Sequence, residues 1–355
     1  MSGAGTAGRS VKSEPSFLTS SARENPSYSA VILAGGEGER LSSFTRERYG
    51  HHLPKQFCPL FGGKTLLEQT MRRVSLVVPP SQTITVLNRA HKRFYYQLLN
   101  DSEYRNLLVQ PENRGTAPAI LCAMLRLIET GHTGPVAIFP SDHYVSDDFV
   151  FMRHVSAAMR AVERAPGLAV LLGIEPDSAE PEYGWIEPAT PVKARLSGLG
   201  QISGIRRFLE KPSANVARDL YDRHYLWNSF VLIGSPARLL SLIAMALPEL
   251  YRAFDGLAPF FGGAVEEEIL GMVFRQLPSV DFSSGVLAEL PTEFSVMPVS
   301  GVSWSDLGDA KRMVAAIARS ENRTLGGNQL VLGSQPDPLA ASPEIIQHET
   351  LQAHR

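Results

Sequence analysis

The sequence has few cysteines, little net charge and no long apolar run, and each absence argues against a class of protein. Its two cysteines, Cys58 and Cys122, are far apart and stand in no metal-ligand spacing, which argues against a secreted disulfide scaffold and favours the reducing cytoplasm. A formal net charge of −2 without a lysine and arginine stripe argues against a nucleic-acid partner. No apolar stretch reaches the ~20 residues of a membrane span.

Composition divides the chain into three regions. Residues 1–27 are rich in serine, glycine and alanine and have no apolar core of the signal-peptide kind, so we expect a disordered leader. Residues 28–320 carry the repeated apolar segments of one large folded domain. Residues 321–355 become rich in proline, serine and glutamine without periodicity, and we expect a loose tail there.

Strands and helices alternate in the first half of the domain. The apolar run Ala30 to Leu33 is typical of a strand buried on both faces of a parallel sheet. Thr65 and Glu68 have the spacing of a capping box at a helix start, and further strands and helices follow as far as Gly173. Beyond that point strands follow one another with fewer helices between them. The rhythm predicts an α/β fold with a parallel-type sheet covered by helices on both faces.

Polar clusters at residues 35–40, 111–116 and 141–143 each follow a predicted strand. Because ligands of such sheets bind beyond the carboxyl ends of the strands, the three clusters are expected to meet at one rim. This rim is the predicted site.

The first cluster is a glycine-rich loop directly after a buried strand. The glycines within residues 35–38 let the backbone approach a phosphate and point its amides there. The spacing matches neither a P-loop nor a dinucleotide fingerprint, which would need glycine in place of Leu41. A plain tight turn explains the glycines alone, but Arg40 and Lys55 would supply the fixed cations that a triphosphate needs.

Two aspartates are candidate ligands of Mg²⁺. Asp142 follows a buried strand, and Asp306 stands in the polar segment at 303–308. Mg²⁺ typically takes one or two protein carboxylates, with phosphates and waters as its other ligands. A helix cap or a turn explains either aspartate equally well when it is taken alone. The neighbouring His143 is expected to orient its surroundings rather than to bind a metal.

Side chains at later strand ends suit a sugar phosphate. The carboxylate of Glu210 can accept hydrogen bonds from sugar hydroxyls, and the ammonium of Lys211 can hold a phosphate. The amide of Asn228 both donates and accepts, and Gly184 offers bare backbone. A solvated strand-end salt bridge and a structural turn are the simpler explanations of these residues.

These motifs occur in an order that resembles the sugar nucleotidyltransferase family over roughly residues 28–320. The segments that carry the resemblance are LAGGEGERL at 33–41, PKQF at 54–57, PENRGTAPA at 111–119, PSDH at 140–143, YGWI at 183–186, FLEKP at 208–212, WNS at 227–229 and WSDLG at 304–308. PKQF and the TAPA part of the third segment point to the guanylyl branch, the mannose-1-phosphate guanylyltransferases (GDP-mannose pyrophosphorylases).

The resemblance implies a fold and a set of roles. The fold would be the Rossmann-like nucleotide-diphospho-sugar transferase fold, with a mixed, mostly parallel sheet and helices on both faces. Mg²⁺ would be the cofactor, held by Asp142 and Asp306. The catalytic residues would be Arg40, Lys55 and Asp142. The nucleotide would contact Leu33, Ala34, Gly35, Gly36, Gly38, Gln110, Thr116 and Ala117. The sugar phosphate would contact Gly184, Glu210, Lys211 and Asn228.

The chain departs from the family pattern at a few positions. Glu37 and Glu39 replace the usual serine and threonine and add negative charge beside the expected polyphosphate site. The stretch at 46–54 is a few residues longer than usual. Gly115 stands where the guanylyl branch usually has asparagine, and Phe230 where it usually has glycine. These departures bear on the choice of base and sugar more than on the reaction class.

The implied reaction joins a sugar 1-phosphate to a nucleoside triphosphate and releases pyrophosphate. Mannose 1-phosphate and GTP, giving GDP-mannose, are the expected pair; another hexose 1-phosphate or another base is the alternative. A non-catalytic regulatory subunit that binds a nucleotide sugar also stays open, whereas Leu41 disfavours a dinucleotide-dependent oxidoreductase. The expected partners are small molecules, the sequence allows a homo-oligomer, and a bifunctional isomerase is not expected.

Overall fold

The computed structural model of the chain describes residues 28–96, 106–190 and 201–326, with side chains as far as residue 319. The predicted leader at 1–27 and the part of the predicted tail at 327–355 lie outside the described residues. The described strands are β1 (Ser29–Ala34), β2 (Pro59–Phe61), β3 (Lys64–Thr65), β4 (Thr83–Asn88), β5 (Leu107–Gln110), β6 (Val136–Pro140), β7 (Tyr144–Val145), β8 (Ala169–Ile174), β9 (Gly184–Pro188), β10 (Ser203–Glu210), β11 (Leu226–Gly234), β12 (Ser295–Val299) and β13 (Trp304–Ser305).

The described α-helices alternate with these strands in the first half of the chain, as predicted. They are α1 (Ser42–Tyr49), α2 (Leu66–Val74), α3 (Lys92–Tyr95), α4 (Thr116–Glu129), α5 (Asp148–Arg164), α6 (Ala214–Asp222), α7 (Pro236–Ala246), α8 (Pro248–Ala253), α9 (Glu266–Phe274) and α10 (Ala310–Gly326).

Nine of the described strands form one sheet in the order β5-β4-β1-β6-β11-β8-β12-β10-β9. The strands β5, β4, β1 and β6 are mutually parallel and are called the parallel half below. In the remaining strands, the mixed half, β12 is parallel to β8, but β11 and β10 are antiparallel to their neighbours. The expected mixed, mostly parallel α/β sheet is therefore confirmed.

Helices cover both faces of the sheet because its central strands are apolar on both sides. In β1, Ala30 and Ile32 belong to the core cluster that includes α2 and α5, whereas Val31 belongs to the cluster that includes α4 and α7. Successive side chains of a strand point to opposite faces, so a continuous apolar run is what burial on both faces requires. Full burial of one such aliphatic side chain contributes about 1.5–3 kcal/mol.

A β-hairpin leads into α2. β2 and β3 pair antiparallel through a turn in which Gly62 and Gly63 have φ values of 64° and 75°. Thr65 then caps α2: its Oγ1 accepts from the Glu68 N–H, and the Glu68 carboxylate accepts from the Thr65 N–H. Both parts of the predicted capping box are present.

The last helix is longer than the sequence predicts. α10 continues to Gly326, past the predicted domain boundary at 320, so the start of the expected loose tail is helical. Among its described side chains, Met313 and Ala316 are buried in the core. None of the described helices has the length and apolar composition needed to cross a membrane.

Candidate active site

A cavity of about 430 Å³ lies at the carboxyl ends of the strands of the parallel half. Each strand contributes a lining residue: Gln110 from β5, Val86 from β4, Leu33 from β1 and Pro140 from β6. β11 adds Phe230 at the edge of the mixed half. This is the rim at which the sequence places the site.

The cavity gathers some of the predicted site residues but not all of them. The residues that line it are Leu33, Gly35, Gly36, Gln110, Thr116 and Asp142. Behind or beside it lie Ala34, Gly38, Lys55, Ala117 and Asp306, whereas a separate group is formed by Arg40, Gly184, Glu210, Lys211 and Asn228. The two sets are linked by the charges of Arg40 and Asp306, both of which act on Glu210.

Gln56 fixes the glycine loop from behind. Its buried Nε2 donates to the carbonyl oxygens of Ala34 at 2.9 Å and Gly36 at 2.8 Å. Gly38 has a φ of 67°, and an added Cβ there would lie 2.8 Å from the backbone nitrogen of Lys55, so this position needs glycine. Ala34 is fully buried beneath the loop, and its expected contact with the nucleotide stays a prediction.

Glu37 fixes the same loop from the other side. Its carboxylate accepts from Nδ2 of Asn88 at 3.0 Å and lies 3.2 Å from Nε2 of the buried His91. Its carbonyl oxygen is 3.1 Å from Nε2 of His52. The negative charge at position 37 is therefore directed to the end of β4, where it anchors the loop.

Lys55 joins the two candidate ligands of Mg²⁺. Its Nζ is 2.8 Å from Oδ2 of Asp142 and also donates to the backbone carbonyl of Asp306. The antiparallel pairing of β7 with β13, in which Trp304 lies opposite Val145, brings the two aspartates together. Asp142 and Asp306 therefore lie at the same rim.

Burial and charge set the protonation of this cluster. Burial opposes ionisation of Asp142, but the nearby Lys55 ammonium, the charge of His143 and hydrogen bonds to the carboxylate together outweigh it, so the pKa of this carboxyl lies below its usual value. Burial lowers the pKa of His143 to about 4, although the Asp142 carboxylate acts in the opposite direction. The neutral imidazole lies 3.7 Å from Oδ1 of Asp142 and packs edge-on against Trp304 with ring centroids 5.1 Å apart.

Asp306 has a cation of its own in Arg312. Its Oδ1 accepts from the Gly308 N–H at 2.9 Å and lies 3.1 Å from Nη1 of Arg312. The guanidinium also lies over the Tyr183 ring, 4.9 Å from its centroid. Burial lowers the pKa of Arg312 but the Asp306 carboxylate raises it, and the net shift is upward, so the guanidinium remains charged.

The donor set fits a magnesium ion that binds together with a substrate. In the described residues no group of three or more His, Cys, Asp or Glu side chains is arranged to hold a metal by itself. One or two carboxylates are, however, the usual protein share of a Mg²⁺ site, completed by phosphate oxygens and waters. Asp142 at the cavity and Asp306 beside it meet that requirement.

A segment at Val280 and Asp281 covers the N-terminus of α4. Oδ1 of Asp281 accepts from the Thr116 nitrogen at 3.2 Å, and the carbonyl of Val280 accepts from the Ala117 N–H at 3.2 Å. An added Cβ on Gly115 would lie 2.3 Å from the Val280 oxygen, so the contact requires glycine. Thr116 lines the cavity, whereas Ala117 is fully buried behind this segment, and its expected contact with the nucleotide stays a prediction.

Gln110 has unused hydrogen-bonding capacity beside the cavity. It ends β5, is buried, and its Oε1 would lie 3.2 Å from a Cβ added to Gly35. Its Nε2 is buried without a hydrogen-bond partner among the described residues. Because a buried unpaired donor costs about 1–3 kcal/mol, a polar ligand at this end of the cavity would stabilise it.

β9 and β10 place the candidate sugar-phosphate residues side by side. Gly184 pairs with Glu210, and an added Cβ on Gly184 would lie 2.9 Å from Oε2 of Glu210. Burial raises the pKa of Glu210, whereas Lys211, with Nζ 3.9 Å from Oε1, lowers it. The charges of the exposed Arg40 and of Asp306 also act on Glu210, which links this group to the cavity.

β11 is irregular where it carries Asn228. Its register against β8 shifts between Asn228 and Leu232, which marks a β-bulge. Oδ1 of Asn228 accepts from the Phe230 N–H at 2.9 Å, and Oγ of Ser229 donates to the carbonyl of Leu172 at 2.6 Å. The Asn228 oxygen thus supports the bulge, and its amide nitrogen is the group that can reach a ligand.

Three residues near the predicted site that are not glycine have a left-handed backbone conformation. Lys211, Phe230 and Leu307 have φ values of 44°, 58° and 51°, and each lies within two residues of a predicted site residue. This conformation costs an L-residue about 1–2 kcal/mol. Such strain persists where the surrounding structure imposes it, and it concentrates at functional sites.

An aromatic cluster supports the aspartates and Asn228 from below. Tyr183 packs edge-on against Trp227 and Trp304, with centroids 4.8 Å and 5.0 Å away, and Trp185 lies 6.1 Å from Trp227. All four rings are buried. Rigid, well-packed aromatic rings hold the ends of β9, β11 and β13 in fixed relative positions.

Sequence reasoning gave no role to several residues that form the site, namely Gln56, Asn113, Asp281 and Arg312, and it marked Phe230 only as a departure that bears on the choice of base and sugar. Gln56 lies inside the PKQF segment and Phe230 directly follows WNS, so their positions were usable signals. Asp281 and Arg312 follow no motif, and only the packing of distant segments brings them to α4 and to Asp306.

Comparisons with known proteins agree with this geometry. The family model described as nucleotidyl transferase matches residues 29–323. The chain is 29% identical over 287 residues to the alginate biosynthesis protein AlgA of Pseudomonas syringae pv. tomato, covering 78% of this chain and 56% of that protein. It is 26% identical over 284 residues to a mannose-1-phosphate guanylyltransferase of Escherichia coli, covering 78% and 59%. The chain thus spans less than two thirds of these relatives.

A solved structure from Thermus thermophilus, described as a mannose-1-phosphate geranyltransferase, is similar along most of its length. It superposes with a TM-score of 0.69 at 30% identity and covers 82% of this chain and 79% of that one. Its sheet and this one are therefore built alike.

Proposed function

This chain belongs to the nucleotidyl transferase family, and on that premise we propose that it joins a sugar 1-phosphate to a nucleoside triphosphate and releases pyrophosphate. The proposed substrates are mannose 1-phosphate and GTP, and the proposed product is GDP-mannose. The observation that carries the proposal is the Lys55–Asp142 ion pair, which lies next to the glycine loop at one cavity.

The chemistry asks for positioning and charge rather than for a strong base. A phosphate oxygen of the sugar 1-phosphate attacks the α-phosphorus of the nucleotide in line, and pyrophosphate leaves. That oxygen is already anionic near neutral pH. The amides of Gly35 and Gly36 and the cation of Arg40 would therefore act by holding the polyphosphate and neutralising its charge.

Asp142 and Asp306 would hold Mg²⁺, which supplies Lewis-acid stabilisation of the reacting phosphates when it is bound. Lys55 neutralises Asp142 in this structure and would hold its carboxylate in place. Arg312 would fix the orientation of the Asp306 carboxylate through its contact with Oδ1.

The second substrate would lie on the mixed half. Glu210 and the amide nitrogen of Asn228 would bind sugar hydroxyls, with Gly184 as a backbone contact, and Lys211 would bind the sugar phosphate. The position of Glu210 supports this role, because its carboxylate lies against the bare backbone of Gly184 and is free to accept hydrogen bonds from hydroxyl donors there.

A substrate panel tests the proposal. The full chain is incubated with Mg²⁺, each of GTP, ATP, UTP and CTP, and mannose, glucose or N-acetylglucosamine 1-phosphate, and pyrophosphate release is measured. We expect the highest rate with GTP and mannose 1-phosphate. A different best pair would retain the reaction class and correct the substrates.

Binding of a nucleotide sugar without any Mg²⁺-dependent release of pyrophosphate would instead indicate a non-catalytic regulatory subunit. Direct titration with GDP-mannose, run beside the panel, distinguishes the two. We further propose that the enzyme acts in the cytoplasm on small molecules alone.

A further inference from the structure

Phe230 lies at one end of the row of strands that forms the cavity. The strands β5, β4, β1, β6 and β11 lie side by side, and neighbouring strands are about 4.8 Å apart, so Phe230 is roughly 19 Å across the sheet from Gln110. The glycine loop after β1 and Asp142 after β6 lie between them. A nucleotide with its base at Gln110 and its phosphates over the loop would direct the sugar towards Phe230.

The conformation of Phe230 is imposed by its surroundings. A φ of 58° is a genuine outlier for a bulky side chain, and glycine would adopt it without strain. The Phe230 N–H donates to Oδ1 of Asn228 at 2.9 Å, and the bulge of β11 lies at the same point. The half-buried ring lines the cavity as a result.

We propose that Phe230 determines which sugar the site accepts, by forming the wall of the sugar end of the cavity. This inference rests on the proposed function. The ring offers an apolar surface that can pack against the C–H face of a hexose. The ring offers no strong hydrogen-bond partner, so a hydroxyl or acetamido group placed against it would lose its bound water without gaining a hydrogen bond. The ring also occupies the space that a larger substituent needs.

The Phe230 ring and the Asn228 amide are joined by a hydrogen bond from the Phe230 N–H to Oδ1 of Asn228. Because Oδ1 of Asn228 accepts from the Phe230 N–H, the Asn228 side chain is tied to the backbone that carries the ring, and its amide nitrogen is left as the donor for a sugar hydroxyl. A sugar bound there meets a donor and an apolar face together, and the pair discriminates among hexoses better than either alone.

Phe230→Gly tests the wall directly, because it removes the ring and tolerates the left-handed backbone. The affinities of GDP and GDP-mannose are measured by titration calorimetry for both proteins. We expect the variant to bind GDP as the native chain does but to lose about 10-fold in affinity for GDP-mannose. In turnover, the ratio of kcat/KM for N-acetylglucosamine 1-phosphate to that for mannose 1-phosphate should rise by about 10-fold, with the KM for GTP unchanged.

Two variants serve as controls. Phe230→Tyr keeps an aromatic ring and should retain most of the discrimination. His224→Gly relieves a similar backbone strain, since His224 has a φ of 57°, but it lies exposed outside the cavity and should change neither ratio. Thermal unfolding checks that each variant is folded, and Phe230→Asn replaces the glycine variant if that one is not.

Equal losses for GDP and GDP-mannose would overturn the proposal, because the ring would then act on the nucleotide or on the fold. So would a native chain that binds GDP-mannose no more tightly than GDP. If the native chain shows no turnover, the proposed function fails while the titrations still decide the role of Phe230. If neither guanine ligand binds, UDP and UDP-glucose replace them in the same comparison.

Discussion

The two halves of the sheet position functional groups in different ways. In the parallel half, the cavity residues follow strands directly, and glycines supply the close approaches, as at Gly38 and Gly115. In the mixed half, side chains are redirected by a bulge and by left-handed residues that are not glycine, such as Phe230 and Lys211. The first arrangement uses backbone geometry that the fold supplies, whereas the second depends on local strain held by packing.

The two halves should differ in how far their residues can be substituted. In the proposed function the parallel half would bind a phosphate through amides and cations that any substrate pair needs, so we expect its residues to tolerate little change. A strained side chain at the sugar end can be replaced without altering the strand order, so the mixed half can vary its ligand. Substitutions in each half test whether the parallel and mixed halves of the sheet differ in this way.

Asp142→Asn removes the charge at the point where the halves meet. We expect turnover to fall about 10²- to 10³-fold, the scale of losing one electrostatic contact to a transition state. Steady-state pyrophosphate release measures the effect. Asp219→Asn, which alters an exposed pair with Arg223, is the control and should be neutral. Near-normal turnover of Asp142→Asn would remove this carboxylate from the mechanism.

Gly115→Ala tests the reliance of the parallel half on bare backbone. The new Cβ would meet the Val280 carbonyl at 2.3 Å in a residue with a φ of 84°. We expect the free energy of unfolding to fall by about 3 kcal/mol, from clash and strain together. Gly50→Ala has a similar φ of 76° but open space, so it should lose only about 1 kcal/mol. Equal losses in urea unfolding would show that the approach of Val280 is unimportant.

Gln56→Ala loosens the glycine loop without touching the cavity charges. The variant loses two hydrogen bonds to the carbonyls of Ala34 and Gly36, each worth about 1 kcal/mol, so we expect the KM for GTP to rise about 10-fold while that for the sugar phosphate stays constant. Gln69→Ala is a matched control, because its Nε2 also donates to two backbone carbonyls, but in the hairpin. A rise in both KM values would show that the halves are not independent.

His154→Gln gives the smallest effect and concerns α5, which packs across both halves. Burial lowers the pKa of His154, so as the pH falls through the ordinary histidine range the unfolded chain takes up a proton that the folded chain resists. Stability from this residue is present above that range and is lost below it. Between about pH 7 and about pH 5 the native chain should lose up to about 1 kcal/mol more than the variant. Identical losses in urea titrations would exclude this contribution.

The sequence predicts the parallel half well because its signals are local. The run at Ala30 to Leu33, the capping box at Thr65 and the glycines after β1 each report a backbone state that neighbours in sequence enforce. The polar α1, whose only buried residue is Thr45, gives no apolar periodicity and was not predicted. The approach of Asp281 to α4 depends on residues far apart in sequence, and no pattern in the sequence indicated it.

In the mixed half the residue types were found but their conformations were not. Glu210, Lys211 and Asn228 lie inside recognised motifs, yet their local backbone is shaped by the bulge in β11 and by positive φ values that the motifs do not reveal. The predicted orienting role of His143 stays a prediction. Its neutral, buried ring beside Asp142 is consistent with that role.

The aromatic cluster has a practical consequence. The chain contains three tryptophans, and all of them, Trp185, Trp227 and Trp304, lie in that cluster beneath the sugar end of the site. Tryptophan fluorescence of the protein therefore arises from one location, close to Asp306 and Asn228 in sequence. Ligand binding near these tryptophans can be followed by their emission without a label, whereas ligand binding at the distant edge of β5 should leave the emission almost unchanged.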